Sequence, residues 1–286
     1  MIEPALADDA FLADVASARS PGDGFRIWWL GQSGFLIQWG DRHLALDPYL
    51  SDSLTKKYAG TERHHVRRSR RVVAPERLDF LDVVTSSHNH TDHLDQETLG
   101  PILRANPHVH LVVPAASRAF AAERLGIDSA RLDVLDDGLS EDFAGFRLSG
   151  IASAHERVER DAEGRSRFLG YVVCFGPWTV YHPGDTVLYE GLEEELRTWS
   201  IDVALLPING AAPERGVAGN LDGPEAARLA RSIGARLVIP CHYDMFEFNT
   251  ASPDPFAAEA RRIGQPSRIL LAGERWTSAE IGPRGA

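Results

Sequence analysis

Three histidines and an aspartate fall within six positions in His88-Asn89-His90-Thr91-Asp92-His93, directly after the apolar run Leu81 to Val84. Imidazole nitrogen and carboxylate oxygen are the donors that hold Zn²⁺, Mn²⁺ or Fe²⁺. A loop leaving a strand aims alternate side chains into one cleft, so this spacing reads as a metal-binding loop. Two later strand-like runs also end in chemistry-bearing residues, one in Ala154-His155-Glu156 and one in His182-Pro183-Gly184-Asp185-Thr186. A third, Leu237-Val238-Ile239-Pro240, leads into Cys241-His242-Tyr243-Asp244. Cys174 and Cys241 read as buried thiols; a persisting strand would turn Cys241 away from His242. His43, His65, His108 and His110 carry no partner motif and are not expected to be ligands.

The elements that must position these residues follow from periodicity. A short amphipathic helix is expected over Asp8 to Ala18, punctuated by Ser20-Pro21-Gly22. From Phe25 to Asp47 the period drops to two, with turns at Gly31-Gln32-Ser33-Gly34 and Gly40-Asp41-Arg42, which predicts a three-stranded antiparallel meander. Asp47 ends its third strand. A short helix after Pro75, a strand over Leu81 to Ser86, a helix over Gln96 to Ala105, a strand over His110 to Val113 and a helix to Leu125 then give an α/β rhythm. Strands follow at Leu132 to Leu135, Phe146 to Ala154, Phe168 to Phe175 and Trp178 to His182, which implies a second sheet. The last third returns to alternation: helix Leu192 to Trp199, strand Val203 to Leu206, helix Gly223 to Ile233, strand Leu237 to Pro240, helix Pro255 to Ile263 and a terminal strand Ile269 to Ala272.

At these positions the chain resembles the metallo-β-lactamase superfamily, whose signature is H-x-H-x-D-H. The resemblance implies a four-layer αββα sandwich formed by one α/β domain over residues 1–286, with a helical extension over about 1–22. It implies one ion held by His88, His90 and His155, a second by Asp92, His93 and His242, and Asp185 between them. Asp47 would then hold a ligand histidine by a hydrogen bond. Two divalent ions, zinc or manganese with iron compatible, would activate a shared water, so no serine or cysteine nucleophile is needed. Members with a redox di-iron centre have glutamate where this chain has His90, which favours hydrolysis. Asp92 and Asp185 are the expected catalytic carboxylates. His182, three residues before Asp185, and Asn209, at a strand end, are further catalytic candidates.

Trp29-Leu30-Gly31-Gln32-Ser33-Gly34-Phe35, Leu206-Pro207-Ile208-Asn209-Gly210 and His242-Tyr243-Asp244-Met245-Phe246 are similar to the branch containing L-ascorbate-6-phosphate lactonase and the N-acylphosphatidylethanolamine-hydrolysing phospholipase D. The lactonase reading implies attack on an ester or lactone carbonyl; the alternative is a phosphodiester. A basic stretch before the metal loop bears on the substrate. Lys56, Arg63, His64, Arg67 and Arg68 interrupt an otherwise acidic chain of net charge −11 and are candidates for holding a phosphate or carboxylate. That net charge and the 286-residue length make a nucleic-acid partner unexpected. No apolar run is long enough to span a bilayer and the N-terminus lacks a basic start, so a membrane partner is not expected and the cytoplasm is the expected location. A small anionic molecule is the expected partner, and a homo-oligomer is compatible with the sequence.

Overall fold

The computed structural model describes residues 1–18, 24–211 and 219–282; the expected turn at Ser20-Pro21-Gly22 lies outside them. Helix α1 spans Asp8–Ser17, and the meander is formed by β1 (Phe25–Gly31), β2 (Gly34–Trp39) and β3 (Arg42–Leu46). Period-two alternation decides which side each residue buries. Ile27 and Trp29 of β1 join a core shared with a second sheet, while Trp28 and Leu30 pack with Phe11 and Val15 of α1.

A five-residue helix, α2 (Ser53–Lys57), precedes a 3-10 turn at Pro75–Arg77, and β4 (Val83–Thr85) then lies parallel to β3 with Leu44 opposite Val83. Helix α3 (Gln96–Ala105), β5 (His110–Pro114), α4 (Arg118–Leu125) and β6 (Leu132–Leu135) complete the first half, with β5 and β6 continuing the parallel order. The first sheet has seven strands in the order β13-β1-β2-β3-β4-β5-β6, where β13 is Arg275–Thr277. The second contains β7 (Ser140–Phe143), β8 (Phe146–Ala152), β9 (Leu169–Phe175), β10 (Trp178–His182), β11 (Val203–Pro207) and β12 (Leu237–Cys241), in the order β12-β11-β10-β9-β8-β7. Strands β10, β11 and β12 are parallel. Strand β8 is antiparallel to β9, which is antiparallel to β10, so β8 runs the same way as those three.

Helices α5 (Leu192–Leu196), α6 (Gly223–Ser232) and α7 (Asp254–Ile263) bring Leu192, Leu196, Ala226, Leu229, Phe256 and Ala260 into the core of the second sheet. On the other side Leu99 and Ile102 of α3 and Ala121 and Leu125 of α4 pack with Val84, Leu111 and Val113 of the first sheet. The layers are therefore helix, sheet, sheet, helix: the αββα sandwich. Among the described residues no helix is long and apolar enough to cross a membrane.

The terminal strand is not at Ile269–Ala272, where the apolar run predicts it. There the Leu270 carbonyl accepts from the Tyr243 hydroxyl at 2.6 Å, the Leu271 amide donates to Glu274 and the Gly273 amide donates to the Trp29 carbonyl at 2.7 Å. Backbone groups engaged in a turn do not form a ladder. The edge of β1 is instead reached by β13, with Trp276 opposite Ile27.

Candidate metal centre

Every candidate donor, like the Asp47 that holds them, stands just beyond the C-terminal end of a strand. Asp47 follows β3, the His88–His93 loop follows β4, His155 follows β8, Asp185 follows β10 and His242 follows β12. Parallel strands carry such positions to one edge of each sheet, and the two edges meet here.

The side chains fall into two sets. His88, His90, His155 and Asp185 bring one ligand atom each within 4.8 Å of one another, and Asp92, His93 and His242 do the same. Asp185 links them. Its Oδ2 lies 3.4 Å from His155 Nε2 and 3.5 Å from His93 Nε2, and its Oδ1 lies 3.6 Å from His242 Nε2.

Local bonding fixes which ring nitrogen faces the centre. His93 Nδ1 donates to Asp47 Oδ2 at 2.6 Å. His88 Nδ1 donates to Ser87 Oγ at 3.0 Å, and that hydroxyl donates to the same Asp47 carboxylate. His155 Nδ1 donates to the Gly219 carbonyl at 2.9 Å. Each bond on Nδ1 leaves Nε2 facing inward. Asp47 is fully buried and also accepts from the Ser87 amide and the Thr85 hydroxyl, both at 3.0 Å.

Charge is arranged around the same atoms. Burial, with His93 and His90 nearby, holds His88 well below the ordinary histidine range. His90 reaches solvent with part of its surface, yet burial of its ring and the adjacent His155 lower it to about 4. Burial acts on His93 in the same sense, but Asp185 and Asp92 outweigh it and raise the ring well above its usual value. For Asp185 burial would raise the pKa; His242 and His93 reverse this and keep the carboxylate ionised, and His93 does the same for Asp92.

This donor set fits divalent ions. His88 Nε2, His93 Nε2 and Asp185 Oδ1 are buried and make no hydrogen bond among the described residues. Buried polar atoms left without a partner cost roughly 1–3 kcal/mol each, so three converging in one place mark a binding site. Nitrogen with carboxylate oxygen suits zinc, manganese or iron, and cysteine contributes nothing: Cys241 is buried in the apolar core.

The remaining candidates divide. Asn209 is 2 % exposed, donates to Asn249 Oδ1 and accepts from Asn220, each at 3.0 Å, and Asn249 lines the cavity over the donors. His182 is fully buried and donates from Nε2 to the Ser33 carbonyl at 2.9 Å, which ties the end of β10 to the β1–β2 turn. That cavity, of about 540 Å³, is lined by His90, Asp92, His155 and Asp185 and, from the basic segment, by Lys57, Arg63 and His65. Lys56 instead pairs with Glu97 at 2.6 Å, Arg67 with Asp52 at 2.7 Å, and His64 bonds to the Thr61 carbonyl. Neither Arg68 nor those three line it. Lys57 and His65 went unselected because a run of charges does not reveal which members turn inward.

One further residue was missed. Gln32, read only as part of a turn, is 3 % exposed and places Nε2 2.8 Å from Asp92 Oδ2 and 3.0 Å from His242 Nε2.

Comparison with known proteins bears on most of the chain. A family profile described as beta-lactamase superfamily domain matches residues 26–242. A UPF0173 metal-dependent hydrolase of Opitutus terrae is 30% identical over 254 residues, covering 87% of this chain and 98% of that protein. One of the same name from Sulfurisphaera tokodaii is 24% identical, covering 87% and 97%. Among solved structures, an isothiocyanate hydrolase from Delia radicum gut bacteria superposes with a TM-score of 0.69 at 18% identity, covering 88% of this chain and 98% of that one.

Proposed function

Because the chain belongs to the metallo-beta-lactamase superfamily, as a metal-dependent hydrolase of the UPF0173 family, we propose that it binds two divalent ions and hydrolyses an ester or lactone of a small anionic substrate of sugar-phosphate size. The observation that carries this reading is that one cavity of about 540 Å³ has donors of both sets and the cations Lys57 and Arg63 on its walls. His88, His90 and His155 would hold one ion, Asp92, His93 and His242 the other, and Asp185 both. Bound there, zinc or manganese supplies Lewis acidity and a water acidic enough to ionise near neutral pH.

The chain's own residues supply position. Asp47 holds the His93 and Ser87 side chains, so the loop cannot turn its donors away. Lys57, whose Nζ donates to Thr91 Oγ1 at 3.0 Å, and Arg63 put positive charge beside the donors, where they orient a phosphate or carboxylate. Leu54, Tyr58 and Phe120 give the same cavity apolar wall to cover the rest of the substrate.

Metal analysis followed by a panel of aryl esters, lactones and bis-phosphodiesters tests this. Two ions per chain and carbonyl turnover are expected, with Asp185→Asn losing at least about a thousandfold, a barrier increase of roughly 4 kcal/mol. Turnover of phosphodiesters alone would move the reaction to phosphorus. Fewer than one ion per chain together with no hydrolysis would overturn the reading.

A further inference from the structure

The β1–β2 hairpin turns through Gly31-Gln32-Ser33-Gly34, and Gln32 takes a left-handed backbone, φ +49°. A non-glycine residue there is uncommon, and glutamine lacks the short side chain that lets asparagine stabilise such a turn locally. Neighbours hold it in place. Its carbonyl accepts from the His242 amide at 2.9 Å and from the Trp29 indole at 3.0 Å, and Trp29 stacks on Tyr243. The side chain is nearly fully buried and its carboxamide ends against the second donor set.

Distances identify what that group is placed to do. One carboxamide terminal atom lies 2.8 Å from Asp92 Oδ2 and 3.0 Å from His242 Nε2, and those two atoms are 3.6 Å apart. Ligand bonds of about 2.0–2.2 Å put neighbouring ligands on one ion roughly 2.8–3.6 Å from each other, from the right angle of an octahedral centre to the tetrahedral angle. The three atoms therefore have the mutual spacing of ligands on one centre. Carboxamide nitrogen and oxygen are interchangeable by a half-turn about the terminal torsion, which is broad and two-fold. An N–H cannot face a cation, whereas the oxygen can. We propose that Gln32 is a ligand of the second ion, giving its amide oxygen beside Asp92, His93 and His242. A neutral oxygen would favour harder divalent ions at that position over the nitrogen-rich first set.

The inference rests on the two-ion reading above, and metal titration separates their failures without any substrate. Wild type, Gln32→Met, which keeps length but removes the oxygen, and Gln32→Glu, which keeps an oxygen and adds charge, are titrated with Mn²⁺ and Zn²⁺ by calorimetry, with circular dichroism as a check on folding. The expected result is two ions in wild type, a second ion bound at least tenfold more weakly in Gln32→Met, and a second ion bound as tightly or more tightly in Gln32→Glu. First-ion affinity is expected to be equal in all three. With Co²⁺ in both sites, the visible spectrum of Gln32→Met should shift towards lower coordination number. Equal second-ion affinity in wild type and Gln32→Met, with an unchanged Co²⁺ spectrum, would overturn the assignment of Gln32 and leave the two-ion reading standing. Wild type that takes up only one ion would overturn both. Should Gln32→Met not fold, a second ion lost or weakened in Gln32→Glu would overturn the proposal.

Discussion

His88 and His93 lie with ring centroids 4.0 Å apart and yet titrate in opposite directions. Burial and two neighbouring imidazoles push His88 down, whereas Asp185, Asp92 and the Asp47 hydrogen bond outweigh burial at His93. The sign of metal linkage follows. A ring raised above 6.5 keeps its second proton at neutral pH, so an ion bonding to its nitrogen must expel that proton. Second-ion affinity should therefore rise with pH, by a factor approaching ten per unit while the pH stays below the pKa of His93. Rings lowered below 6.5, with His90 at about 4, are already neutral at pH 7. They add no such slope at neutral pH, and His90 adds none until the pH nears 4. Calorimetry between pH 5.5 and 8.5 in buffers of different ionisation enthalpy would count the protons released; equal slopes for the two ions would contradict this account. At this scale the sequence was most legible, since donor type, spacing and order are chemical identities. Gln32 was not, because its meaning lies in contacts to residues 60 and 210 positions away.

The elements set how closely the two halves of the centre approach, and glycines mark the tightest places. Gly184, at φ +65°, precedes Asp185, and a Cβ there would collide with the Ser87 side chain that hydrogen-bonds Asp47. Gly184→Ala is thus expected to displace either the Asp185 loop or the His88 loop. Backbone strain alone should cost about 1–3 kcal/mol, with activity falling further than stability. Urea unfolding together with kcat tests this; a variant of wild-type stability and rate would show that the approach is loose. Elements with clear periodicity were legible: α3 has the expected bounds, and β6 and β10 match theirs. Strand β7 was not, because Ser140-Glu141-Asp142 lacks apolar alternation and its pairing at the edge of the sheet comes from β8. The basic segment was only half legible. Arg70 finds Glu3 and Asp8, Arg67 finds Asp52 and Lys56 finds Glu97, so part of its charge is spent on partners that local pattern does not name.

Neither sheet holds a complete donor set. The first brings Asp47 and the His88–His93 loop, the second brings His155, Asp185 and His242, so each proposed ion would join the C-terminal edges of both. Such an ion binds the folded chain and not the unfolded one, where donors up to 154 positions apart in sequence, His88 to His242, are dispersed. Mass action then stabilises the fold by about 2.7 kcal/mol for each site at a free ion concentration one hundred times its Kd. At roughly 2–4 °C per kcal/mol for a chain near this size, one filled site should raise Tm by about 5–10 °C, and two by nearly twice that. Scanning calorimetry with Zn²⁺ or Mn²⁺, then with excess chelator, measures the shift and its reversal. Asp185→Ala removes the residue that links the two sets and should lose most of the rise, whereas a substitution at Glu141, exposed on edge strand β7, should keep all of it. Two ions bound with no change in Tm would mean that they bind groups equally accessible in the unfolded chain, and the junction of the two sheets would not be where the metal acts.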